Sequence, residues 1–109
     1  MSNIADAGFG TSQLLPLIIQ TLTARPGTIT IAEQPEIHLN PRLQSVLADL
    51  FVEMANTGHH VIVETHSEHL LLRLRRLVAS GKIKSSEVAI YFIERLKGES
   101  TVRSVPICQ

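Results

Sequence analysis

The chain has little that would tie it to a membrane, an oxidising compartment or a polyelectrolyte. Its one cysteine, Cys108, leaves nothing to form an internal disulfide, so a reducing compartment is expected. No apolar run approaches the ~18 residues that cross a bilayer. Residues 1–10 carry neither the basic nor the apolar segment of a signal peptide. Ten Lys+Arg balance ten Asp+Glu, a net charge of +0. That excludes a strongly basic nucleic-acid or membrane binder and leaves room for a local basic patch. Internal repeats, low-complexity tracts and domain-separating linkers are also missing. What is present is 44% hydrophobic residues in 109, enough for a packed core and too many for disorder. The expectation is a cytoplasmic α/β protein without membrane association, a single domain over residues 1–109.

Turn signals at Ala24-Arg25-Pro26-Gly27, Asn40-Pro41, Thr57-Gly58, Ser80-Gly81 and Lys97-Gly98 divide the chain. Gln13 to Thr23 is apolar enough for a largely buried helix, capped by Thr11 or Ser12, with Pro16 near its first turn. Thr28 to Glu33 alternates as a short strand. Pro41 to Asn56 is the clearest helix. Asn40 caps it, Pro41 stands at its first position, and Leu43, Val46, Leu47, Leu50, Phe51 and Met54 form one face. His60 to Glu64 contains the unbroken run Val61-Ile62-Val63, which suggests a strand covered on both faces. Ser67 caps a helix to about Ala79, with Leu70, Leu71, Leu74, Leu77 and Val78 inward. Val88 to Glu94 and Thr101 to Ile107 read as strands joined in a hairpin across Lys97-Gly98. Strand–helix–strand units of this length cross over right-handed and parallel. The predicted architecture is therefore a mostly parallel sheet with flanking helices and a C-terminal β-hairpin as its antiparallel edge.

This order places chemistry at one edge. Ligands of open parallel sheets bind beyond the carboxyl ends of the strands. The first strand runs into Glu33-Gln34-Pro35-Glu36 and the second into Glu64-Thr65-His66-Ser67. Parallel neighbours would bring carboxylates, an amide and an imidazole to one crevice. A hard cation takes oxygen ligands and keeps waters that a second polar group can orient, as at a magnesium–nucleotide site. Taken singly, each cluster also reads as helix capping or turn hydrogen bonding; their coincidence on consecutive strands favours the site.

At these residues the chain resembles a known family. Glu33-Gln34-Pro35-Glu36-Ile37-His38-Leu39-Asn40-Pro41 is similar to the extended Walker B and D-loop of ABC-type ATPases of the RecF/SMC/OLD branch. Thr65-His66-Ser67 resembles their switch motif, and Asp6 to Gln13 resembles their signature motif at the opening of a helix. The likeness is nearest to AAA-type ATPases that carry a DUF-type C-terminal domain. It implies ATP and Mg²⁺ as ligands and ATP hydrolysis as the activity. Glu33 would hold Mg²⁺. Gln34 stands where most members have the catalytic Glu, and His66 would contact the γ-phosphate. Glu36 is a candidate substitute base. Asn40 belongs to the D-loop, and Gly10, Thr11, Ser12 and Gln13 would face nucleotide bound by a second ATPase subunit.

The chain also departs from the family. It contains no G-x-x-x-x-G-K-[ST], the loop whose backbone donors and Lys cradle phosphates. The resemblance is thus to a partial P-loop NTPase fold lacking the Walker A half. It implies a fragment inactive alone, partnered by the missing N-terminal half or a second subunit. The alternative is a non-enzymatic, partner-binding remnant, with a possible DNA contact through Arg73, Arg75 and Arg76. That cluster also suits the end of a helix electrostatically. His66-x-x-His69 lacks the spacing or the cysteines of a zinc site, and His59-His60 reads as exposed loop.

Overall fold

A computed structural model describes residues 4–107 and, apart from Leu96, the side chains from Leu14 onward; Cys108 lies outside the described residues. Chain order is α1 (Ile4–Thr23), β1 (Ile29–Glu33), α2 (Pro41–Asn56), β2 (His60–Glu64), α3 (Glu68–Ala79), a 3-10 turn (Ser85–Glu87), β3 (Ile90–Leu96) and β4 (Glu99–Val105). The chain forms two compact units, one up to Leu74 and one from Arg75.

In the first unit, β1 and β2 pair in parallel. Connecting them is α2, whose 16 residues at ~1.5 Å each return the chain to the other end of the sheet. Asn40 caps α2, its side chain accepting the Leu43 N–H at 2.9 Å. The buried face of α2 is Leu47, Ala48, Phe51, Val52 and Met54, with Leu47 and Met54 fully enclosed. It is turned from the expected stripe, and Val46 is 43% exposed. Helix α1 joins the sheet through Gln20, whose amide donates to Thr30 Oγ1 at 2.7 Å. The turn before β2 closes on the turn before β1, with the Gly27 N–H on the Gly58 carbonyl at 2.8 Å. Gly58 has φ +90, and a Cβ there would meet Pro26 Cβ at 3.3 Å, so this position favours glycine on both counts.

Three expectations are corrected. Among the described residues the parallel sheet has two strands, and β3 with β4 forms a separate antiparallel sheet instead of its edge. A two-residue turn makes those strands each other's nearest partners, with Lys97 at φ 52 and Gly98 at φ 80. Second, β2 is not covered on both faces: Ile62 is 58% exposed, as are its β1 neighbours Ile29 and Ile31 at 61% and 74%. An aliphatic run reports the tendency to be covered, and nothing among the described residues covers this face. Third, α1 begins at Ile4, so Thr11 and Ser12 do not cap it, and Pro16 lies in its interior. Pro16 has no N–H to donate to the preceding turn, and the helix continues through it. No described helix is long and apolar enough to cross a membrane.

Candidate functional site

Two strand ends, brought level, build the site. Pairing runs Ile29↔His60 through Glu33↔Glu64, so the two carboxylates stand side by side at the carboxyl ends. Both are exposed. The ladder extends one step beyond them, the Gln34 N–H donating to the Glu64 carbonyl at 2.7 Å. At that step the chain turns sharply, with Gln34 at φ 45. Gln34 is half-buried and His66 exposed. Glu33, Gln34, Glu64 and His66 therefore share one end of the sheet.

Glu36 joins the two loops. It is buried, and its Oε2 accepts the His66 N–H at 2.9 Å. Oε1 is also buried and has no hydrogen-bond partner. Burial pushes the Glu36 pKa up. The N–H groups of His66 and of Glu36 itself, the neighbouring Thr65 hydroxyl and the His66 imidazole outweigh it, so the group is held below the ordinary value and remains a carboxylate. The residue after His66 is anchored from another side. Ser67 Oγ accepts the Leu70 N–H at 3.0 Å, capping α3, and donates to Gln44 Oε1 on α2. Gln44 Nε2 in turn donates to the Leu39 carbonyl at 2.9 Å. Arg73 on α3 pairs with Asp49 on α2 at 2.9 Å, so one member of the basic cluster is already engaged within the chain.

The remaining expected residues are placed as follows. Asn40 spends its side-chain oxygen on the α2 cap, leaving its amide N–H groups for a neighbour. Gly10, Thr11, Ser12 and Gln13 fall inside α1, the seventh to tenth of its 20 residues, so their N–H groups are not those of a helix start; their side chains lie outside the described ones. His59 is buried, correcting the expected exposed loop: its Nε2 is 3.0 Å from the Ala24 carbonyl and its Nδ1 has no partner. The sequence does not single out Gln44, because a glutamine in the first turns of an amphipathic helix carries no signal for what it will bridge.

The carboxylate and amide oxygens at the sheet end fit a hard cation shared with phosphate oxygens. Among the described residues no group of three or more His, Cys, Asp or Glu could hold a metal ion by itself. A protein-family model described as an AAA ATPase domain matches residues 2–71. No curated protein matches the chain.

Proposed function

This chain belongs to the AAA ATPase domain family, and from that premise we propose that it supplies the magnesium- and γ-phosphate-facing part of an ATP-hydrolysing site. Nucleotide and Mg²⁺ use is a property of the family. The observation that carries the proposal for these residues is the register Glu33↔Glu64, which delivers the loops after β1 and β2 to one edge. Glu33 would hold Mg²⁺, which when bound neutralises phosphate charge. Gln34 would orient the attacking water through its amide; an amide orients without accepting a proton strongly, so turnover would be slow. His66, exposed in the loop after β2, would donate to the γ-phosphate. The Asn40 amide, with Gly10, Thr11, Ser12 and Gln13, would face nucleotide on a second ATPase subunit.

These residues would contact the cation and the γ-phosphate, but the chain lacks the loop that cradles the phosphates. A phosphate-binding loop from a second subunit or from further sequence would complete the site. Charge-assisted donors are worth roughly 1.5–3 kcal/mol each, so without several of them the chain alone binds Mg·ATP more weakly than micromolar. Calorimetric titration with Mg·ATP tests this. Micromolar binding abolished by Glu33→Ala would overturn the need for a second segment. Weak binding indifferent to Glu33→Ala would favour a non-enzymatic partner-binding role.

A further inference from the structure

Glu36 is three residues beyond the strand-end acid and is a residue with two possible lives, proton acceptor or fastener. As an acceptor it is badly placed. Oε2 is engaged with the His66 N–H, and Oε1 is buried away from solvent. As a fastener it is well placed. Its hydrogen bond spans 30 positions of chain and connects the loop after β1 to the loop after β2. Residues 65–67 have no helix or strand of their own. Locally the segment is held by the Ser67 N–H on Thr65 Oγ1 at 3.0 Å and by the Ser67 cap of α3; across the chain it is tied by Glu36 on the His66 N–H and by Gln44 on the Ser67 hydroxyl. An N–H bonded to an ionised acceptor is among the stronger hydrogen bonds. That strength offsets part of the cost of burying a carboxylate with one oxygen unpartnered.

We infer that Glu36 is a positioning residue, whose buried carboxylate holds the His66 backbone against the loop after β1 so that the imidazole is presented from a fixed base. The inference deepens the ATP-site reading and takes its purpose from it, but the fastening is measurable without nucleotide. It separates two properties of the side chain, its reach and its charge. Glutamine keeps the reach and an acceptor oxygen. Aspartate keeps the charge and loses one methylene of reach.

The experiment is amide hydrogen exchange by NMR on the full chain, with the side-chain order of His66 followed in the same samples. Leu47 and Met54, fully enclosed on α2, report global opening. Glu36→Ala and Glu36→Asp should speed exchange of the His66 amide by about tenfold or more and loosen its imidazole, with the Leu47 and Met54 amides little changed. Glu36→Gln should keep both near wild type while shifting the His66 amide proton upfield, because the acceptor is no longer charged. Should Glu36→Ala not fold, the aspartate and glutamine variants carry the comparison. Unchanged His66 exchange in the aspartate variant, or glutamine behaving like alanine, would overturn the inference. The outcome of the Mg·ATP titration bears on the ATP-site reading alone and leaves this result standing.

Discussion

A carboxylate at residue 36 is harder to bury than a neutral side chain of the same shape, yet it is buried and charged. Its pKa lies below the ordinary 4.5, so its linkage to stability has a definite sign. The charged form is favoured by folding. That contribution is complete above the unfolded value and is lost as pH falls through the lower folded one. Urea unfolding of wild type and Glu36→Gln across pH should therefore show the wild type losing stability relative to the variant only on the acid side of 4.5. Parallel curves would contradict the depressed pKa. The motif located Glu36, but its use was not legible. Its partner is a backbone N–H, which every non-proline residue possesses, so the pairing leaves no mark in the sequence. His59 failed the same way, since the Ala24 carbonyl that it meets is equally silent. Asn40 and Ser67 were legible because a cap binds its own helix, within three residues.

Among the elements, α2 and β2 were readable to the residue, because strong caps and an uninterrupted aliphatic run agree on their limits. Helix α1 begins nine residues before the Gln13 start that its sequence suggests. Gly8 and Gly10 each disfavour helix by about 1 kcal/mol against alanine, so local preference pointed to a loop where the chain is helical. The inward face of α2 was ambiguous for another reason. Apolar residues cover a wide arc of it, and periodicity alone did not choose Ala48 and Val52 over Val46 and Leu50. The hairpin was predicted with its strands shifted by about two residues, and its turn was right. That turn gives a prediction. Lys97 at φ 52 precedes Gly98 at φ 80, the left-handed pair of a type I′ turn, which asparagine adopts more readily than lysine. Lys97→Asn should stabilise the hairpin by about 0.5–1 kcal/mol, read from urea unfolding; a loss of stability would show the turn to be of another type.

At the scale of the whole molecule, zero net charge is an average. Up to Leu74 the chain has three Lys+Arg against seven Asp+Glu, and from Arg75 the numbers reverse. The exclusion of a strongly basic binder holds for the chain and not for its second unit. Apolar exposure is likewise uneven. Leu15, Ile19 and Leu22 lie along one side of α1 and are 50%, 51% and 80% exposed, a stripe of the kind that marks an interaction surface. These features bear on partners; the ATP-site reading itself requires that the loops after β1 and β2 face one ligand. Paramagnetic broadening tests it most directly, with Mn²⁺ in place of Mg²⁺ and millimolar ATP added to the ¹⁵N-labelled chain. Broadening is expected only at the amides of Glu33, Gln34, Glu36 and residues 64–67, and should be lost in Glu33→Gln. Broadening at only one loop, or elsewhere and indifferent to that substitution, would contradict it.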